Sequence, residues 1–411
     1  MINHQKSKKN EKDYDLLKLL IVLSMPCIAL SIIQNGFLVL LPFVRDEFVL
    51  TRAQVGYYST SFFASATALA VFTGSIVDKL GSRNSMLLGI GCMGFIVMLY
   101  GFSHSYTILL FLALIAGLGF SIITPSVTKG VLIAAPPEKR AISFGVTHMG
   151  FGFGGIAGAS LLPILGENLG WRAAVQIAAF FALLTGLLVF KLYKLPKHNS
   201  ISDNPEIQPE KTLSFKDNLI SLFTNKPLFR ICILGIIFGL SLGAGATHIA
   251  VFLSGDLKMS RVAAGLGVGI LQFGGIISRP AWGWISDKLF KGDRRFSLFI
   301  IGLSIGLMYL IFGLFLNSPQ IHPFTVYIFS FLLGCSALGW PGVHFVAVGE
   351  FAGDKQAGIA TGLSLLFLRV GMLVAPPFFG FIADTRGNYQ YGWLFFGTII
   401  LLASSLFLLR D

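Results

Sequence analysis

The heptapeptide Gly74-Ser75-Ile76-Val77-Asp78-Lys79-Leu80 returns as Gly283-Trp284-Ile285-Ser286-Asp287-Lys288-Leu289, an offset of 209 in a chain of 411 residues. The same offset pairs Arg52 with Arg261 and Gly56 with Gly265. Each copy lies between two long apolar segments. A half-chain repeat implies two homologous halves. In a chain this apolar it predicts two helical bundles facing each other across a shared path.

Hydrophobic residues make up 54% of the sequence and charged residues 12%. Soluble domains carry roughly twice that charge. A bilayer crossing needs about 20 predominantly apolar residues. Twelve such spans are predicted, centred near Leu30, Ala66, Phe95, Leu118, Gly154, Phe181, Leu240, Phe273, Gly306, Leu333, Val370 and Ile400. The expected fold is therefore an all-α membrane protein. Its twelve transmembrane helices form two six-helix bundles related by a pseudo-two-fold axis.

Charge sets the orientation. The N-terminal tail carries Lys6, Lys8, Lys9 and Lys12, and 22 of the 31 basic residues fall in the tails, at their helix ends, or in alternate loops on the same side. Arg45, Arg52, Arg172, Lys258, Arg261 and Arg386 occupy the opposite loops. The positive-inside rule then places both termini in the cytoplasm, in a plasma (inner) membrane. The net charge of +12 reflects topology and attraction to anionic headgroups, and gives no reason to expect nucleic-acid binding. The tail runs into a first apolar span longer than a signal peptide, without a small-residue cleavage site, so no cleavable leader is expected. Cys27, Cys92, Cys232 and Cys335 all fall inside predicted spans, where small buried side chains are expected, not disulfides or a metal site.

The one long polar segment divides the chain. The expected organisation is a tail over 1–15, a first bundle over 16–193, a cytoplasmic linker over 194–227 and a second bundle over 228–411. Within the linker, Phe215, Leu219, Leu222 and Phe223 recur at helical spacing, predicting a short interfacial helix over Leu213–Phe223.

Six plus six spans, a long central loop and the run Gly74-x-x-x-Asp78-Lys79-Leu80-Gly81-x-Arg83, echoed at Asp287-Lys288, resemble the major facilitator superfamily. The resemblance covers the chain from about Leu16 to Leu409. It implies a central cavity lined by spans 1, 4, 7 and 10, and a rocking cycle that exposes the cavity to either side in turn. In the signature loops, glycine permits close helix approach. Carboxylates and cations there can pair across the bundle boundary in one state and part in the other. Gly74, Asp78, Lys79, Arg83, Asp287, Lys288 and Glu350 are accordingly expected to act as conformational latches.

Arg279 and Arg369 carry the expected chemistry. Arg279 lies eight residues before Asp287, roughly 12 Å of helix, too deep for easy snorkelling. Arg369 lies about as deep in span 11. A charged side chain at the bilayer centre costs at least about 2.5 kcal/mol, so each must face a cavity or a partner. Every acidic residue falls in a loop, in the linker or near a helix end. The missing counter-charge can be a solute. Arginine suits a carboxylate because its planar fork binds it bidentately. Gln272, seven residues before Arg279, shares its face and adds a neutral hydrogen bond. The alternative is a pair of arginines bonded to backbone carbonyls or polar side chains.

The run Ser278-Arg279-Pro280-x-x-Gly283 resembles span 8 of monocarboxylate transporters, where that arginine meets the substrate carboxylate. A cation on span 11 is similar to the oxalate/formate exchanger arrangement. Nitrate porters pair a span-8 arginine with one on span 2, but Tyr57 to Val77 contains no basic residue. The span-4 arginine of many drug exporters and their span-5 Gly-Pro element are also missing.

His148, His248 and His344 fall within spans 5, 7 and 10, where histidine can carry a coupling proton or simply bond a neighbouring helix. His248 and His344 are favoured because their spans should line the cavity. Gln34 and Asn35 in span 1, Tyr57 in span 2 and Trp340 in span 10 are further candidates to contact substrate or to pack. Lys129 is expected to snorkel or to form part of an anion funnel. The sequence offers no catalytic constellation and implies no cofactor. The expected function is secondary transport of a small organic anion, a mono- or dicarboxylate, by proton symport or anion exchange. The partners are the solute, the lipid bilayer and protons, with the carrier a monomer. Export of amphipathic drugs, or a non-transporting sensor with the same fold, are the competing expectations.

Overall fold

The computed structural model describes residues 2–136, 139–193, 225–315, 320–353 and 357–406. Most of the linker, with the helix expected over Leu213–Phe223, lies outside the described residues. The rest is helical. In chain order the helices are α1 Ile2–Phe48, α2 Arg52–Tyr100, α3 Tyr106–Ala134, α4 Arg140–Leu169 and α5 Trp171–Leu192 in the first half. The second half holds α6 Lys226–Gly255, α7 Arg261–Trp284 with a π turn at Ile285–Leu289, α8 Arg294–Leu314, α9 Pro323–Ala337, α10 Pro341–Ala352, α11 Ala357–Arg386 and α12 Gln390–Leu406. Every predicted span centre falls inside one of these helices.

Among the described residues, ten segments are long and apolar enough to cross a membrane. The other two crossings are the first part of α2 and the 17-residue α12. Helix α2 is in fact spans 2 and 3, joined at Gly81, which adopts φ 78° and ψ 163°. Only glycine enters that region without strain. The glycine following Asp78-Lys79-Leu80 is therefore what turns the chain back into the membrane. Span 10 is divided into α9 and α10. Pro341 has no N–H to continue the ladder from Ala337, so the chain breaks over Leu338–Trp340.

Within each half, small residues let helices touch through their backbones, as packing in lipid requires. A Cβ on Gly154 would sit 2.3 Å from the Ile28 carbonyl, joining α4 to α1. One on Gly239 would sit 2.1 Å from the Leu368 carbonyl, joining α6 to α11. The glycine-rich stretch of α4 has two uses. Gly150, Gly154 and Gly158 seat α1, whereas Gly152 and Gly155 admit Ile276 and Gln272 of α7 from the other half.

The halves meet through α2 with α11 and α4 with α7, with α1 against α6 between them. At the Arg52/Arg261 end this interface is tightly closed. Asp384 on α11 caps the N-terminus of α2 in trans, accepting from the Arg52 and Ala53 amides at 2.8 Å each. The Arg52 guanidinium reaches Asp256 at 3.2 Å, and Arg261 returns the contact by pairing with Asp46. Cβ atoms on the repeat-related Gly56 and Gly265 would each fall 2.4 Å from the opposite half, on Pro376 and Pro163. Deeper in, Ser59 meets Thr247 at 2.7 Å and Thr60 donates to the Leu373 carbonyl at 2.7 Å.

The Asp78/Asp287 end is open. Gly74, Gly145, Gly283 and Gly362, on α2, α4, α7 and α11, have nothing within 4 Å of a built Cβ. The expected cross-bundle latches are accordingly internal to each half in this state. Asp78 pairs with Lys129 at 2.7 Å, the lysine reaching an exposed carboxylate at the open end. Arg83 donates to the Phe190 carbonyl and lies 4.7 Å from that ring. Asp287 and Glu350 share Arg294, at 2.5 and 3.1 Å. Lys79 and Lys288 are exposed.

Candidate functional site

Between the halves lies a cavity of about 930 Å³. Its lining comes from both repeats: Gln34 and Asn35 on α1, Phe63 and Thr73 on α2, Phe120 and Thr124 on α3, His148 on α4, Gln272 and Arg279 on α7, and Trp340 beside the α9–α10 break. Thr361 and Arg369 on α11 complete it. Both arginines thus reach one cavity, as their depth in the sequence required. Its walls are mainly apolar and aromatic.

Arg279 is half-buried, and its Nε donates to the Leu338 carbonyl at 3.2 Å. That carbonyl belongs to the break in span 10. The broken helix frees backbone oxygen at mid-depth, and Arg279 satisfies it. No ion pair joins Arg279 or Arg369 to a carboxylate among the described residues. Arg369 donates from Nη1 to the Ala66 carbonyl at 2.8 Å, crossing from α11 to α2. The bonds to backbone anticipated as the alternative therefore exist, one for each arginine. Among the described residues, each uses a single donor of the five on a guanidinium.

Gln272 packs against Gly155 across the interface, so a residue of the second half is lodged in a notch of the first. Asn35 donates to Ser31 at 2.8 Å, and Ser31 to the Phe151 carbonyl at 2.6 Å, which fixes its amide. His148 borders the cavity within electrostatic reach of Arg279. Trp340 is 2% exposed and packs tilted against Phe238 and edge-on to His344, with Nε1 unpartnered among the described residues.

Three expected residues lie elsewhere. Tyr57 is 45% exposed and is not part of the cavity wall; its neighbour Tyr58, at 3% exposure, packs within the first half against Phe37 and Tyr100. His248 is fully buried behind the closed end, with Nδ1 3.1 Å from Tyr389 Oη and Nε2 2.7 Å from the Pro376 carbonyl. A neutral ring satisfies both: Nε2–H donates to the carbonyl and Nδ1 accepts from the hydroxyl. His344 is equally buried and meets Ser364 at 2.7 Å through Nε2. Lying on a cavity-lining helix did not turn either ring towards the cavity. Among the three histidines, only His148 borders it.

Some participants were not anticipated. Asp46, Asp256 and Asp384 build the closed end; Asp46 and Asp256 lie close in sequence to the repeat-related Arg52 and Arg261, whereas Asp384 carries no such signal. Phe63 and Phe120 form an aromatic wall. In a chain with 39 phenylalanines they carry no individual signal.

The comparisons agree with this geometry. The chain is 20% identical to the hexuronate transporter of Bacillus subtilis, over 88% of its own length and 87% of that protein's. It is 23% identical to the probable sulfoacetate transporter SauU of Cupriavidus necator, over 87% and 85%. It is also 21% identical to the quinolone resistance protein NorA of Staphylococcus aureus, over 84% and 85%. A bacterial homologue of the human lysosomal transporter Spinster, solved in an inward-facing and unoccupied conformation, superposes with a TM-score of 0.73 at 16% identity. It covers 97% of this chain and 94% of that one. The Major Facilitator Superfamily profile matches residues 25–322 and 231–411. With two six-span halves, a paired signature loop and a cavity closed at one end, the chain belongs to the Major Facilitator Superfamily: it is a membrane transporter, not an enzyme.

Proposed function

We propose that this transporter moves a small organic anion, a mono- or dicarboxylate, through the cavity that holds Arg279 and Arg369. One observation carries the reading. Two guanidiniums border a mid-membrane cavity, and among the described residues neither has a carboxylate partner and each donates a single hydrogen bond. Buried charge needs compensation, and a solute carboxylate supplies it in the geometry arginine favours. Coupling runs by proton symport, with His148 as the cavity-lining candidate, or by exchange against a second anion. The carrier works as a monomer.

The test is ligand stabilisation of the purified protein. A carboxylate present at a hundred times its dissociation constant should stabilise the folded state by about 2.7 kcal/mol, read as a raised melting temperature. Proteoliposomes should then accumulate the same compound. Stabilisation by lipophilic cations and not by carboxylates would favour an amphipathic-drug exporter instead. Binding without flux would indicate a sensor.

Orientation follows from the basic loops. With both termini and the loop around Ser200 in the cytoplasm, the open Asp78/Asp287 end faces inward and the Arg52/Arg261 clasp closes the outside. Single cysteines at positions 52 and 200 should react with an impermeant reagent from opposite sides of the membrane. Reaction from one side only would remove the twelve-span topology.

A further inference from the structure

Resting on the anion reading above, we propose a narrower substrate class, a monocarboxylate with an aromatic body, and assign Phe63 and Phe120 as the wall that receives its ring. The Ala66 carbonyl that accepts from Arg369 at 2.8 Å also accepts from Ser121 Oγ at 2.9 Å. Phe63 lies one turn before Ala66 on α2, and Phe120 directly precedes Ser121 on α3. The two rings thus lie on the helix segments that meet at this carbonyl, and both line the cavity that Arg369 borders. Their centroids are 6.1 Å apart at 89°, and Phe62 backs both, at 5.4 and 5.2 Å. Both Phe63 and Phe120 border the cavity.

A cation pinned beside an edge-to-face aromatic pair selects a ligand carrying both complements. The carboxylate takes guanidinium donors, and a planar ring extends the aromatic cluster with the offset or edge contacts such rings prefer. A dicarboxylate or polyhydroxylated acid would press a hydrated group against Phe63 and Phe120, losing water without gaining a hydrogen bond.

The experiment is calorimetric titration of the full-length protein with three probes: acetate, succinate and phenylacetate. Phenylacetate should bind about ten- to a hundredfold tighter than acetate, the range expected for burying one ring, and also tighter than succinate. Phe120→Ala, with Phe63→Leu as a milder companion that preserves packing, should cut the preference for phenylacetate over acetate at least about threefold. Acetate or succinate binding as tightly as phenylacetate would overturn the aromatic class and leave the anion reading standing. An unchanged preference in both phenylalanine variants would overturn the assignment of the wall. If none of the three acids binds, the anion reading falls and this inference falls with it. The same holds if phenethylammonium binds in their place.

Discussion

Arg279→Gln should abolish anion binding and uptake while the protein still inserts and melts as a single species. Nε is committed to the Leu338 carbonyl, so the outer nitrogens of the fork remain for a ligand. Removing one partner of a buried, hydrogen-bonded charge pair costs about 2–5 kcal/mol, or roughly 30- to several-thousand-fold in affinity. Arg279→Lys keeps the charge but cannot hold the span-10 carbonyl and a bidentate carboxylate together, so it too should lose most transport. Arg369→Gln should weaken binding by a smaller factor. Its Nη1 bond to Ala66 shows that part of its role is to tie α11 to α2. Uptake is measured in proteoliposomes and affinity by titration on the same preparations. Wild-type uptake by the Arg279→Gln, Arg369→Gln double variant would sink the site.

Why the arginines were legible in the sequence, and the histidines were not, has a physical answer. A guanidinium at mid-depth cannot be neutralised cheaply, so its position alone forces a cavity or a partner. A histidine can sit neutral in a packed interior with both nitrogens bonded, as His248 does between Tyr389 and Pro376. Its presence on a cavity-lining helix therefore fixes little, and His148, on α4, proved to be the one on the wall. Tyr57 and Tyr58 make the same point over a single residue. Both suit a helix, and only packing decides which one turns inward.

The fold was more legible because it rests on long-range composition. Every span centre read from the apolar stretches falls inside an observed helix, and the repeat at 74 and 283 pointed to two homologous halves. Two local features escaped. The break over Leu338–Trp340 was written in Gly339-Trp340-Pro341, yet a proline inside a membrane helix is often tolerated, so the motif does not by itself declare a break. The conformational state was also invisible. Asp78, Asp287 and Glu350 can pair across the halves or within them, and one sequence serves both arrangements. The structure shows them paired within, at 2.7 Å to Lys129 for Asp78 and through the shared Arg294 for the other two.

The same state dependence gives the second large effect. Gly56→Trp together with Gly265→Trp should eliminate transport and leave ligand binding in place. A Cβ at either position already falls 2.4 Å from Pro376 or Pro163, so an indole forces α2 from α11 and α7 from α4. Overpacking in a rigid interface is relieved only by separating the elements. The Arg52–Asp256 and Arg261–Asp46 pairs must then part, and the cavity opens at that end. Gly74→Trp with Gly283→Trp should act in the opposite sense. Both sites have nothing within 4 Å here, so the present state accepts the side chains, whereas closure of the Asp78/Asp287 end is blocked. A single cysteine at Thr124, on the cavity wall, reports the outcome. In the 56/265 variant it should react with an impermeant reagent added from the Arg52 side. In the 74/283 variant it should react only from the Asp78 side. Full transport by the 56/265 variant, or identical labelling in the two variants, would show that these glycines do not mark the surfaces on which the halves alternate.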